Sequence, residues 1–217
     1  MSSNQPIPVI SLIGGIGSGK SALSRELARR HAVLVINADE LGHEVLREPA
    51  IILRLKETFD PDIVDESGHI VRSRIAARVF GDSPEHHAAL RQLEEIVHPG
   101  IQSRIERIIQ STRETAAKPG APQCDLIILD AALLIEAGWD QVCDLVFFVD
   151  VPEEIRLTRV TKNRNWSEAE FRKREQSQIS LQDKQARADY TIANHSDLES
   201  AVDQLETYLN NHFHLDF

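Results

Sequence analysis

An α/β fold, with a parallel sheet flanked by helices and an all-helical insertion, follows from three features of the sequence. Short apolar runs suited to buried strands alternate with segments of helical periodicity. A glycine-rich stretch, SLIGGIGSGKSA at residues 11–22, joins the first such run to the first helix. Between residues 40 and 118 the pattern is almost wholly helical, so a helical lobe is expected after the second strand.

The elements follow in order. Val9 to Ile13 is a β-branched run ended by glycines and predicts a buried strand. Lys20 to Arg30 predicts a helix with Leu23, Leu27 and Ala28 on one side, and Val33 to Ile36 a second buried strand. In the insertion, Leu90, Leu93, Val97, Ile101, Ile105 and Ile108 mark one face of a long helix. Pro99 lies inside that stripe and should kink or break it, because it lacks an N–H and crowds the preceding turn. IVDESGHIV, two apolar pairs around a glycine-containing turn, predicts a small hairpin. DLIILD (125–130) and LVFFVD (145–150) are near-continuous apolar runs ending in Asp, as central parallel strands covered on both faces require. VPEEIRLTRV opens a helix with Pro152 in its first turn. SEAE from Ser167 and SDLE from Ser196 each fit a capping box. Tyr190 to Ala193 reads as a last short strand, and Leu198, Val202, Leu205 and Leu209 as a closing amphipathic helix.

Composition narrows the function classes. With 217 residues, 41% hydrophobic and 27% charged, the chain has the makeup of an ordinary globular protein. Its 24 Lys and Arg against 34 Asp and Glu give a formal charge of −10, which argues against a nucleic acid as main partner. Cys124 and Cys143 have no metal or redox spacing and are expected as buried thiols in a reducing compartment. No apolar run reaches membrane length and MSSNQPIP has no leader pattern, so a cytoplasmic location is expected. Oligomeric state is not set by the sequence.

The chemistry concentrates in the glycine-rich stretch. Gly14, Gly19, Lys20 and Ser21 spell G-x-x-x-x-G-K-[ST] between strand and helix, the pattern of a P-loop NTPase core. Glycines allow consecutive amides to turn around anionic oxygens, and the helix N-terminus adds its positive end. Gly15, Ile16, Gly17, Ser18, Gly19, Lys20, Ser21 and Ala22 are the ATP-binding candidates; Lys20 supplies a mobile charge for β- and γ-phosphates. Ser21 offers a hydroxyl to Mg²⁺, and Asp130, at a strand end, is the second metal candidate beside a plain turn role. Gly17, Gly19 and Ala22 also spell G-x-G-x-x-A with Asp39 about twenty residues on, a dinucleotide pattern that gives Lys20 and Ser21 no task. DESG at 65–68 resembles a GTPase switch motif, but no N-K-x-D exists to read guanine. Asp39, past the second strand, suits either a base for an acceptor hydroxyl or an N-cap for the helix from Glu40. Asp150 before Val-Pro reads as a cap. From 156 to 187 the chain is rich in Arg and Lys, the composition of a helical lid with one or two working cations and an otherwise solvated face. His98, mid-stripe, reads on its own as a packed residue.

Six segments taken together resemble the dephospho-CoA kinase family: LIGGIGSGKS, INADELG, LEEIVHPGI, IILDAALLIEAGW, VDVPEEIRLTRV and KQARADYTIAN. The resemblance implies transfer of phosphate from ATP, with Mg²⁺, to the ribose 3′-hydroxyl of dephospho-CoA, giving CoA and ADP. Another small-metabolite or nucleoside-monophosphate kinase is the alternative. It also implies a P-loop nucleotide-binding core at 1–38 and 120–217, a lid at about 160–188, and a helical CoA-substrate lobe at 39–119. By matching position, Asp39 and Lys20 are the catalytic candidates and Asp39, His98 and Glu136 substrate-binding ones; Arg164, beside the matched lid position, is a further substrate-binding candidate. Arg159 matches a lid-base Arg, and Asn194 the late Asn near adenine. The chain departs from the family at Asn37 (usually Asp), at Ala22 (usually Thr), and at Ala132 and Ile135 (usually Pro and Phe). The usual lid Arg falls on Asn163, between Lys162 and Arg164, and either of these neighbours can serve the phosphates.

Overall fold

The computed structural model describes residues 6–217, so the leader reading falls mostly on residues outside those described. The elements in chain order begin with β1 (Val9–Ile13), α1 (Lys20–Arg30) and β2 (Val33–Asn37). Four helices follow: α2 (Ala38–Val45), α3 (Pro49–Phe59), α4 (Arg72–Val79) and α5 (Pro84–Ala116). Then come β3 (Leu126–Asp130), β4 (Leu145–Asp150), α6 (Glu153–Arg164), α7 (Glu168–Gln176), α8 (Leu181–Ala186), β5 (Tyr190–Ala193) and α9 (Leu198–Phe213). The chain divides into two compact units, one formed by the residues up to Asn37 with Ile108–Phe217, the other by Ala38–Arg107.

The first unit is built on a five-stranded sheet in the order β2-β3-β1-β4-β5, all pairs parallel. Every residue of β1 is buried, as are the first four of β3 and the first five of β4, which explains why these runs do not alternate. Ile10, Leu12, Leu23, Leu126, Ile128, Phe147, Val202 and Leu205 belong to one core, with α1 and α9 covering the sheet. Buried Ser11 in β1 is accommodated because its hydroxyl donates to the Leu129 carbonyl at 2.7 Å. At strand entries, Asp144 accepts from the Val9 amide and Asp189 from the Val146 amide, both at 2.7 Å. The carboxyl ends of β1 and β3 therefore sit side by side, and in parallel α/β sheets ligands bind at that edge.

The second unit is helical. Leu41, Val45, Ile51, Leu55, Phe59, Ile96, Val97, Ile101 and Ile105 are buried, at the spacings the apolar stripes predict. Helix α2 approaches α5 closely: a Cβ on Gly100 would stand 2.9 Å from Val45 Cγ1, and one on Gly42 3.4 Å from Ile101 Cδ1. Arg104 of α5 holds Glu44 at 2.6 Å and Glu48 at 2.7 Å.

Several expectations need correction. Helix α5 is not broken at Pro99 but runs through it, with buried Ile96, Val97, Ile101 and Ile105 on either side holding the helical path. Helix α2 begins at Ala38, so Asp39 lies in its first turn rather than at an N-cap. Ser196 does not cap α9; Asp197 does, its carboxylate accepting from the Ser200 amide at 2.7 Å. Ser167 does cap α7, accepting from the Glu170 amide at 3.2 Å. Pro152 is the N-cap of α6 instead of a first-turn residue. The expected hairpin shrinks to one antiparallel bridge, Val64 to Ile70, around a turn in which Asp65 accepts from the Ser67 and His69 amides. The DESG segment is therefore a local turn. Cys124 and Cys143 are free and only half-buried, and burial pushes the Cys143 thiol up to about 12.

Replacing Pro99 with Ala restores a helix-interior N–H and removes a steric conflict. The Pro99→Ala protein is expected to be more stable by about 1–2 kcal/mol in urea unfolding, once the greater freedom of the unfolded chain is deducted. A loss of stability would show that the proline is required where it stands.

Candidate active site

The turn between β1 and α1 is shaped by glycine at three positive-φ positions: Gly14 (146°), Gly17 (80°) and Gly19 (94°). Space demands glycine as well. A Cβ on Gly17 would stand 2.7 Å from the Arg156 carbonyl oxygen, and one on Gly19 2.6 Å from Asn194 Nδ2. Gly15 packs directly beneath the Arg156 guanidinium.

The loop is held by its carbonyl groups. Lys20 Nζ donates to the carbonyls of Gly14 at 3.0 Å and Gly15 at 3.1 Å. Arg156 donates to Ile16 O at 3.3 Å. Ser18 O accepts from Arg159 at 3.3 Å and from Asn194 Nδ2 at 2.8 Å. Arg159 also reaches Asn194 O at 3.0 Å, so Arg159 and Asn194 form one clamp on the loop. Asn194 is 3% exposed, and its Oδ1 has no hydrogen-bond partner among the described residues. Ser18 Oγ, also buried, is in the same position.

At the mouth of the loop Ser21 Oγ donates to Asp130 Oδ2 at 2.9 Å, joining the first turn of α1 to the end of β3. The pair offers a hydroxyl and a carboxylate oxygen, hard donors that suit Mg²⁺, an ion that keeps waters and takes phosphate oxygens for its remaining positions. Asp150, at the corresponding end of β4, instead faces His195 Nε2 at 3.0 Å.

The residues expected at the nucleotide end thus come together: Gly15 to Ala22, Asp130, Arg159 and Asn194. Ala22 itself is a helix residue whose amide donates to Gly19 O at 3.0 Å. Glu136, on the segment after β3, accepts from the Ile179 amide at 3.2 Å and lies 3.9 Å from Lys184 Nζ. Arg164, at the end of α6, is exposed and stacks 5.0 Å over Trp166, which Arg174 also covers at 4.2 Å. Asp39, exposed, and His98, half-buried, belong to the helical unit. Burial holds the His98 imidazole below its usual pKa, against the pull of Glu94, so it is neutral at pH 7.

Two further residues belong to the site. Arg156 is 2% exposed: it donates to Val151 O at 3.1 Å, pairs with Glu175 of α7 and lies 5.4 Å over Phe171. Lys184 of α8 is 3% exposed. Both come from the basic run, and neither differs from its solvated neighbours in type. Arg156 has one signal, its placement three residues before Arg159 on the same face of α6.

Crowding of positive charge is the dominant electrostatic feature. Lys20 is lowered to about 8, first by burial and then by the Lys184 ammonium, with Arg164 and Arg156 adding to the effect and Asp130 opposing it. Such a site is costly without an anion and favours a polyphosphate strongly.

The family model described as dephospho-CoA kinase matches residues 8–200. A Corynebacterium diphtheriae protein named dephospho-CoA kinase is 37% identical over 86% of this chain and 88% of its own. One of the same name from Syntrophotalea carbinolica is 35% identical over 91% and 88%. Among solved structures, a Thermus thermophilus protein superposes with a TM-score of 0.75 at 27% identity, over 96% of this chain and 99% of its own. A dephospho-CoA kinase from Campylobacter jejuni shares the fold, with a TM-score of 0.58 at 20% identity over 94% and 96%.

Two outcomes follow from the site. A triphosphate raises the Lys20 pKa on binding, so ATP affinity should be flat from about pH 7, where the terminal phosphate is ionised, to about pH 8, and fall as pH rises further. In Lys20→Arg, which stays charged, the break near pH 8 should vanish even though binding is weaker. Titration calorimetry across that range checks both, and a wild-type profile flat to pH 9.5 would contradict the assignment. Gly17→Ala combines a left-handed backbone with a backbone clash and should lower ATP affinity by about a hundredfold while the protein still folds.

Proposed function

The chain belongs to the dephospho-CoA kinase family, and on that premise we propose that it transfers the γ-phosphoryl group of ATP to the ribose 3′-hydroxyl of dephospho-CoA. The products are CoA and ADP, in the last step of CoA assembly. The observation that carries the reading is the convergence of Lys20, the glycine loop and the Ser21–Asp130 pair at one sheet edge. That arrangement suits the donor triphosphate, and family membership supplies the acceptor.

On the donor side, Lys20 leaves the Gly14 and Gly15 carbonyls for the phosphate oxygens, and the loop amides take the remaining charge. Asn194 Oδ1, a buried acceptor, suits an adenine amino group. Ser21 and Asp130 would hold Mg²⁺, which supplies charge neutralisation for the phosphates. On the acceptor side, Asp39 takes the proton of the 3′-hydroxyl as its oxygen bonds to phosphorus. The bond from phosphorus to the bridging oxygen breaks, and its electron pair leaves with ADP. His98 and Glu136 are assigned to the substrate by position in the family pattern, and Arg164 as a neighbour of the usual lid Arg position. Soluble metabolites as substrates fit a cytoplasmic enzyme without nucleic-acid or membrane partners, and no helix among the described residues is long and apolar enough to cross a membrane.

An acceptor panel measured by ADP release should show dephospho-CoA preferred over nucleoside monophosphates and small alcohols, with the new phosphate on the 3′ position. Preference for another acceptor would move the chain to a different small-metabolite kinase activity. Asp39→Asn should lower kcat about a hundredfold or more while the KM for ATP changes little. Turnover close to wild type in a folded Asp39→Asn protein removes the base assignment.

A further inference from the structure

Lys184 sits where an ammonium is rarely found. It is 3% exposed, within the lid segment formed by α7, α8 and their connection. Its Nζ donates to Gln178 Oε1 at 2.7 Å. The nearest carboxylate oxygen, Glu136 Oε1, is 3.9 Å away, too far for a hydrogen bond, and the same oxygen is already accepting from the Ile179 amide. An ammonium has three protons to place, and a buried one with a neutral acceptor and a distant carboxylate is far from satisfied. A lysine serving only to close the lid would be expected to pair directly with Glu136. This one does not.

The lid segment is fastened to the glycine loop. Arg156 donates to Ile16 O at 3.3 Å and pairs with Glu175 near the end of α7. The Ile179 amide ties the α7–α8 connection to Glu136, on the segment that follows Asp130. These contacts fasten the α7–α8 connection, whose Gln178 holds Lys184, to the glycine loop and to the segment after Asp130, and the Lys184 ammonium adds to burial in lowering Lys20. Arg164, by contrast, lies exposed on the Trp166 ring, on a surface shared with Arg174.

Building on the kinase reading above, we propose that Lys184 is a second phosphate-binding lysine, which takes the terminal phosphoryl group of the bound nucleoside triphosphate opposite Lys20. The triphosphate then supplies the acceptors that the buried ammonium lacks. A diphosphate does not reach it, so Lys184 makes the site prefer ATP over ADP. It also provides, from α8, a cation for the charge carried by the group in transit.

The test compares the β,γ-imido analogue of ATP with ADP by titration calorimetry on the full chain. Lys184→Gln should weaken the triphosphate analogue about tenfold or more and ADP less than about threefold, the loss expected for one charge-assisted hydrogen bond. Lys184→Arg should keep the triphosphate preference. Equal losses for both nucleotides, or no loss, overturn the proposal. The wild-type protein labelled with ¹³C at lysine Cε provides a reading that needs no variant, and it stands even if Lys184→Gln fails to fold. The Lys184 resonance should move on adding the triphosphate analogue and stay in place with ADP; indifference to the triphosphate overturns the assignment. Neither measurement involves the acceptor. Failure of transfer to dephospho-CoA with nucleotide discrimination intact would therefore reject the substrate reading and leave the role of Lys184 standing.

Discussion

Backbone carbonyls in the glycine loop are turned toward protein cations and amides, and the remaining features of the nucleotide end follow from that arrangement. Gly14, Gly15, Ile16 and Ser18 each give their carbonyl oxygen to a side-chain donor: Lys20, Lys20, Arg156, and the Arg159–Asn194 pair. A loop whose oxygens are engaged this way has a strongly positive environment and a backbone free to present N–H groups to an anion. Positive φ at Gly14, Gly17 and Gly19 is the conformational condition for it. Close approach of Arg156 and Asn194 is the steric one, since both occupy the space a side chain on the loop would need.

The same donors join the loop to the lid. Arg156 reaches Ile16 O and Glu175 through the same guanidinium nitrogen, Nη1, above the Phe171 ring. Buried and multiply bonded, it acts as a strut, whereas Lys20 and Lys184 are point charges on flexible stems that can exchange one acceptor for another. That division fits a kinase site, in which the frame must remain fixed while the charges around the nucleotide rearrange during transfer.

The sheet was legible in the sequence because burial on both faces leaves unbroken apolar runs, and Val9–Ile13 and Leu145–Asp150 have the bounds their composition indicates. The loop was legible because its chemistry allows few substitutes for Gly, Lys and Ser at those spacings. Pro99 shows where local rules fail: its effect on an isolated helix is disruptive, yet the buried stripe of α5 continues through it. At Ser196 the same local pattern was satisfied one residue later, where Asp197 reaches the free amide. Arg156 and Lys184 were hidden for a different reason. In the sequence they are two basic residues among several, with no mark beyond the spacing of Arg156 from Arg159, and tertiary burial is what sets them apart.

A lysine held near its deprotonation point by burial and by like charge is the most exposed consequence of this arrangement. Calorimetry of ATP binding at pH 8.5, repeated in buffers of different ionisation enthalpy, counts the protons taken up with the nucleotide. Net uptake of a substantial fraction of a proton per ATP, absent in Lys20→Arg, is the predicted result. A binding enthalpy independent of the buffer would contradict it.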